Sequence, residues 1–433
     1  MKDTKILSYY VFICQQKIQK EMYQKNTRKQ EVAKVTYFKE GAWWASPYND
    51  LEEVKSQMTQ GQKVEIHDAT LRDGEQTPGV VFSLDDKIRI AELLDEVGVE
   101  RIEAGMPAVS KMDQDAIREI SKRNLKAKIY TFARATRKDV DMAVDCGANG
   151  VVLEVPIGYP KLKYQFNWTW ENVFEKSADC INYAKSQGLE VVYFPYDTTR
   201  SRTEDLENLM AAIMKDAAPT SVGVVDTMGC AMPQTIAYLV KKMKKMTNGL
   251  PVEVHTHNDF GMAVATELAA VAAGASCMHS CINGLGERTG NASLEELMMC
   301  MKIMMDMPND YRIEKLPAMC AEVEKIAGVR LANNKPVAGI RNYTRESGIG
   351  IDLVVKQPLA MYATDPRYFG REGDIVLGKK SGKASIEYFL DKLNLTADEE
   401  QVASILAKVK EKGIEKKGLL TEEEFLDIYH SEV

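Results

Sequence analysis

From Lys63 onward the chain alternates short apolar runs with longer stretches of helical period. The apolar runs fall at residues 64–67, 101–104, 128–132, 150–155, 190–194, 221–225, 252–255 and 277–282, each short enough to be a buried strand. Amphipathic stretches between them predict helices, among them 84–97, 113–123, 170–187, 203–216, 233–247 and 262–273. Gly98, Gly188 and Gly274 stand where these helices should end, as C-cap glycines do. Eight strand–helix units in succession predict an α/β fold, a TIM (β/α)8 barrel, with its chemistry at the C-terminal ends of the strands.

The flanks read differently. Residues 1–60 mix Lys, Gln and Glu with aromatics, including Trp43 and Trp44, and predict a helical N-terminal extension that runs into a loop at Ser46-Pro47-Tyr48-Asn49. Beyond 305 the period changes: 316–328 is helical, 333–373 is loop-like with many Gly, Pro and Tyr and too polar for a compact core, and 390–429 is charged and helical. The expected organisation is an extension at 1–60, a catalytic barrel at 61–305 and C-terminal subdomains, a linker or lid and a helical part, at 306–433. A length of 433 residues holds a barrel of about 250 residues with appendages.

Composition narrows the class. A hydrophobic share of 45% with 27% charged residues is that of a soluble globular protein and excludes disordered and fibrous chains. The net charge of -7 leaves no footprint for nucleic acid, and a small anionic ligand would need a local cationic pocket. The cysteines (Cys14, Cys146, Cys180, Cys230, Cys277, Cys281, Cys300, Cys320) are scattered without a C-x-x-C pair, which suits reduced thiols and a cytoplasmic location. The apolar run at 6–14 leads into Gln15-Gln16-Lys17 and not into a cleavage site, so it reads as a helix segment. No apolar run is long enough for a membrane span.

Candidate chemistry begins with His255 and His257. The chain has 5 histidines, and these two close a predicted strand with one residue between them. Residues i and i+2 of a strand share a face, so both imidazoles can approach one ion. A hydrogen-bonded pair is the plain alternative for an H-x-H, but its place after a buried strand favours a metal. The first strand runs into Asp68-Ala69-Thr70-Leu71-Arg72-Asp73-Gly74-Glu75-Gln76. There Asp73 can add an oxygen ligand, and Arg72 a fixed cation for an enolate or a developing alkoxide. After the eighth strand, Asn283-Gly284-Leu285-Gly286-Glu287-Arg288-Thr289-Gly290-Asn291 lets backbone approach a ligand closely, and Asn291 can complete the coordination sphere.

These segments, with Val-Asp-Thr-Met-Gly at 225–229, His-Thr-His-Asn-Asp at 255–259 and Gly-Lys-Lys-Ser-Gly at 378–382, resemble the signatures of the DRE-TIM metallolyase superfamily. The likeness is to its condensing branch of isopropylmalate, homocitrate, citramalate and Re-citrate synthases, and covers roughly residues 63–433. The resemblance implies a divalent metal (Mn²⁺, Mg²⁺, Co²⁺ or Zn²⁺) on Asp73, His255, His257 and Asn291. It also implies that Arg72, Gln76, Glu103, Arg134 and Thr227 contact a 2-oxo acid. Acetyl-CoA would be the co-substrate, condensing as its enolate before thioester hydrolysis. A homodimer or larger assembly would carry Glu346 and Tyr343, as catalytic groups, over a neighbouring barrel.

Three departures stand out. The Glu-Ser-Gly-Ile-His usual in these synthases reads Glu346-Ser347-Gly348-Ile349-Gly350, so the catalytic histidine is absent. A Ser-Asp-x-His type segment is replaced by Pro156-Ile157-Gly158-Tyr159-Pro160-Lys161, and a Ser-Glu-Asp by Pro195-Tyr196-Asp197. Both replacements fall where the acceptor side chain should bind. With few residues after Gly382 for a leucine-binding domain, the chain resembles the Re-citrate synthases best, with oxaloacetate as acceptor; 2-oxoglutarate, pyruvate and 2-oxoisovalerate are the alternatives. Cleavage of the 3-hydroxy-3-methylglutaryl-CoA lyase type calls for a cysteine that the loop 283–291 lacks. A metal-binding regulatory barrel without turnover is the third reading.

Overall fold

The structure is a computed structural model and describes residues 36–59 and 61–433. The helix expected at 6–14 lies outside the described residues. Eight parallel strands close a barrel: β1 (Glu65–Asp68), β2 (Arg101–Glu103), β3 (Lys128–Arg134), β4 (Gly150–Pro156), β5 (Glu190–Tyr196), β6 (Ser221–Asp226), β7 (Val252–Thr256) and β8 (Cys277–Ser280). Each pairs with the next in sequence, and β8 pairs with β1. Strands β3 and β5 outrun their apolar patterns because pairing continues to the rim, where Arg134 lies opposite Glu154 and Pro156 opposite Tyr196. Strand β8 stops short of its pattern, since Ile282–Gly284 turns into a tight helical turn.

The intervening helices are α1 (Leu84–Val97), α2 (Lys111–Lys122), α3 (Arg137–Asp145), α4 (Trp170–Ser186), α5 (Thr203–Asp216), α6 (Pro233–Met246), α7 (Ala263–Ala272) and α8 (Leu294–Met299). Helix α1 shows why they form where they do. Ser83 and Asp86 make a reciprocal capping box, Ile90, Leu93, Leu94 and Val97 fill the buried stripe, and Gly98 ends the helix at φ 98°.

The barrel lumen is divided chemically. On the side of β3 to β6, Tyr130, Phe132, Val152, Val192, Phe194 and Val225 make an apolar cluster, and Phe194 lies so close to Gly223 that no side chain fits there. The other side is built from β7, β8, β1 and β2 and is ionic. Arg101 donates to Glu65 at 2.9 Å and to Glu253 at 2.8 Å, Glu253 meets His279 at 2.9 Å, and His279 stacks on His67 with ring centroids 4.3 Å apart. This ionic half leads up to the C-terminal rim.

Helix α9 (Leu316–Ala327) buries Leu316, Met319, Cys320 and Val323 in the barrel core. A second core joins α10 (Ile351–Lys356), α11 (Lys383–Lys392), α12 (Glu399–Lys416) and α13 (Glu422–Glu432) through Ile351, Val354, Ile386, Phe389, Ile405, Val409 and Phe425. The segment 333–373 is thus less open than its composition suggests: one amphipathic turn of helix buries Ile351 and Val354, and Leu359 and Phe369 are buried as well. A short hairpin at Phe38–Lys39 and Trp43–Trp44 pins the N-terminal segment to this region, with Trp43 against Tyr368 and the Asp365 amide donating to the Ala42 carbonyl. Among the described residues, no helix is long and apolar enough to cross a membrane.

One buried charge ties the loop after β1 to two helices. Lys87 of α1 is fully buried, with its Nζ 2.6 Å from both Glu75 and Asp113. Its removal leaves two carboxylates without their cation, so Lys87→Ala should lose roughly 3 to 5 kcal/mol of stability. Denaturant unfolding measures this, and a loss below about 1 kcal/mol would contradict the bracing role.

Candidate active site

The loop after β1 is folded back by its own polar residues. Asp68 accepts from the Thr70 amide at 2.9 Å and from the Ser280 hydroxyl at 2.8 Å, and the amides of Asp73 and Gly74 both reach the Ala69 carbonyl. The Ile282 amide donates to the Thr70 hydroxyl at 2.8 Å, locking this loop to the one after β8. Arg72 and Asp73 are thereby set on the rim above the ionic half of the lumen.

Arg72 is held as a fork. Its Nε and one terminal nitrogen donate to the Glu103 carboxylate at 2.8 and 3.2 Å, its other terminal nitrogen lies 3.6 Å from Asp73, and its plane covers the Phe132 ring at 4.8 Å. Burial pushes both carboxyls up, but the guanidinium outweighs it: Glu103 falls to about 2, helped by His67, and Asp73 lies well below the usual carboxylate range, helped by His255 and His257. Both carboxylates are therefore charged, and Arg72 stays protonated.

The two histidines share a face as their spacing requires. His255 Nε2 is 3.3 Å and His257 Nε2 3.6 Å from the same oxygen, Asp73 Oδ2. Two ligand atoms about 2.1 Å from one ion at tetrahedral or octahedral angles lie roughly 3.0 to 3.5 Å apart. Asp73 Oδ2 and Asn291 Oδ1 are buried without a hydrogen-bond partner. Asn291 is seated by its own amide, which donates to the Leu285 carbonyl at 3.0 Å, and is bridged to His257. Burial drives His257 down to about 4, which keeps its imidazole neutral and able to ligate. Orphaned oxygens beside neutral imidazoles fit a divalent cation.

The other expected residues sit in several places. Thr227 is buried on the rim, its hydroxyl accepting from the Asp197 amide at 3.0 Å. Gln76 is exposed at the end of the tight turn Gly74–Gln76. Arg134 folds outward onto Asp139 at 2.8 Å, its side chain 61% exposed. Tyr343 and Glu346 bond within the C-terminal region: the Tyr343 hydroxyl meets Thr364 at 2.7 Å, and Glu346 accepts from the Lys380 amide at 2.9 Å.

Two departures from the synthase pattern prove to be one structural unit. The amides of Ile157 and Gly158 both donate to the Tyr196 carbonyl, Gly158 lies against the Asp197 carboxylate with no room for a side chain, and Lys161 Nζ sits 3.9 Å from the centre of the Tyr196 ring. Between them Glu154 follows Val152 in the inward-facing row of β4. Burial raises its carboxyl to about 7, against the pull of Arg72 and Lys161. Motif reading passes over Glu154, yet its parity with Val152 puts it in the lumen. The same parity on β1, β7 and β8 signals His67, Glu253 and His279.

A barrel that gathers a candidate ion-binding triad and a fixed arginine at its strand ends has the parts that metal-assisted carbonyl chemistry requires. Comparison with known proteins identifies the family. An HMGL-like family model matches residues 63–323, and a homocitrate synthase post-HMGL domain-like model matches 337–417. The chain belongs to this family, in the condensing branch of the DRE-TIM metallolyases, and is an acyltransferase. It is 37% identical over 391 residues to a homocitrate synthase of Methanocaldococcus jannaschii, covering 90% of this chain and 94% of the relative. An (R)-citramalate synthase of the same organism is 39% identical over 350 residues, 81% of this chain and 71% of the relative. Among solved structures, a hydroxymethylglutaryl-CoA lyase from Pseudomonas aeruginosa superposes with a TM-score of 0.57 at 17% identity, over 65% of this chain and 97% of that one, a likeness of fold.

The geometry predicts one divalent ion per chain, to be read with Mn²⁺ as the probe in titration calorimetry of metal-stripped protein. Asp73→Asn and His257→Ala should each weaken binding on the order of 100-fold, at least the cost of losing an outer-sphere partner, with melting curves near wild type. Unchanged affinity in both variants would place the ion elsewhere.

Proposed function

We propose that the protein condenses acetyl-CoA with a dicarboxylic 2-oxo acid, oxaloacetate first, and hydrolyses the thioester to give citrate. The observation that carries the acceptor is Lys161. Around the rim Arg134, Arg200 and Arg288 are each committed to a carboxylate, Asp139, Asp197 and Asp259. Lys161 has no carboxylate within ion-pair distance among the described residues and rests on Tyr196, free to meet the far carboxylate of a bound acid. Tyr196 narrows this wall, which favours the shorter oxaloacetate. The homocitrate synthase relatives favour 2-oxoglutarate as the second reading.

In this reading Asp73, His255, His257 and Asn291 hold a divalent metal, which supplies Lewis-acid polarisation of the acceptor when bound. Arg72 lies against the keto oxygen and takes the negative charge that grows there, while Glu103 and Asp73 keep its fork aimed. Thr227 lines the acceptor site. The wall at Lys161 and Tyr196 orients the acid so that one face of its carbonyl meets the acetyl-CoA enolate. The active unit is a homodimer in which Tyr343 and Glu346 face a neighbouring chain's barrel.

Thiol release from acetyl-CoA, measured against oxaloacetate, 2-oxoglutarate, pyruvate and 2-oxoisovalerate, tests the reading. Oxaloacetate should give the highest kcat/KM, with citrate as product. Lys161→Met should lower kcat/KM for the dicarboxylic acids by roughly 10- to 100-fold, the worth of a charge-assisted hydrogen bond of about 1.5 to 3 kcal/mol, and leave pyruvate little affected. Preference for a monocarboxylic acid, or equal loss on all four, would contradict the assignment.

A further inference from the structure

Condensation requires a base for the acetyl methyl group, and the chain has Gly350 where the synthases carry their catalytic histidine. Glu154 is the candidate that the mouth itself provides. It follows Val152 in the inward row of β4, pairs in register with Arg134 and Phe194 on the adjacent strands, and stands over the apolar half of the lumen made by Tyr130, Val152, Val192 and Phe194. Among the described residues it forms no hydrogen bond or ion pair, whereas Asp73, Glu103, Asp197, Asp226 and Asp259 around the same mouth are all engaged. A carboxylate left unbonded beside Arg72 and Lys161 is not a brace.

We propose that Glu154 is the catalytic base that removes a methyl proton from acetyl-CoA. The inference rests on the condensation proposed above and not on which acid is the acceptor. One carboxylate oxygen of Glu154 takes the proton, the C–H electrons form the enolate double bond, and the thioester carbonyl electrons move onto its oxygen. The enolate carbon then bonds to the keto carbon of the acid, whose carbonyl electrons pass to the oxygen beside Arg72. That alkoxide takes a proton, which Glu154 can return. Water next adds at the thioester carbon and the thiol leaves.

The surroundings suit the task. The groups whose charge acts on Glu154 are Arg72, Lys161, Asp73 and Glu103, two cations and two carboxylates, with the Tyr196 phenol close enough to be acted on in turn. Burial is the leading influence and weakens Glu154 as an acid to about 7, near the operating pH at which a general base is most effective. Sign follows directly: the working form is the carboxylate, so activity rises with pH through an acid limb.

The test is Glu154→Gln beside Glu154→Asp, assayed with whichever 2-oxo acid the wild type turns over best. Failure of the oxaloacetate reading then shows in the wild type, and failure of the base assignment shows only in the variants. Expected for Glu154→Gln is a fall in kcat of about 10² to 10⁴, with Mn²⁺ content, melting temperature and acceptor KM near wild type and the acid limb gone. Glu154→Asp should restore part of the rate and the limb. Trideuterated acetyl-CoA should show a larger isotope effect on Glu154→Asp than on wild type. A kcat within about threefold of wild type for Glu154→Gln, or a change confined to acceptor KM, would overturn the assignment.

Discussion

The guanidinium of Arg72, clamped between Glu103 and Asp73, is the contact around which the rest of the site is arranged. A buried arginine with two carboxylates would be a liability without this geometry, because desolvation of each ion costs several kcal/mol. Here the planar fork meets Glu103 with two hydrogen bonds and keeps one edge toward the rim. The same arginine holds Asp73 ionised, so the orphaned Asp73 oxygen faces His255 and His257 as a charged ligand. One residue thus sets the charge of the candidate ion site and, in the proposed reaction, of the place where the acceptor carbonyl lies.

The divided lumen explains how this is supported. The ionic half, from Arg101 through Glu253, His279 and His67 to Glu103, satisfies its charges on one another beneath the site. The apolar half, packed by Phe194 and its neighbours, excludes water and raises the one carboxylate that ends above it, Glu154. In the proposed reaction, two environments within one barrel separate an arginine that stabilises anions from a carboxylate that accepts protons.

Much of this was legible in the residue pattern. Periodicity located every barrel strand within about two residues, because a parallel sheet covered on both faces reads as short apolar runs. Spacing alone brought His255 and His257 together, since strand parity is independent of context. The placement of Arg134 was not legible: its ladder position points inward, but Asp139, the N-terminal partner offered by α3, draws it out of the mouth. Nor could the chain order show that Pro156 to Lys161 and Pro195 to Asp197 form one wall, which depends on pairing between β4 and β5. Glu154 escaped notice because a single carboxylate in an apolar strand carries no motif.

The central claim, that Arg72 acts on the reacting oxygen and does not merely cement the rim, is tested most directly by Arg72→Lys. Lysine keeps the charge between Glu103 and Asp73 but loses the planar fork. With bound metal, melting temperature and kcat measured on one preparation, metal and stability should stay near wild type while kcat falls about 10² to 10³, the loss of one preorganised donor. An unchanged kcat, or a lowered melting temperature with near-normal turnover of the surviving protein, would contradict the account.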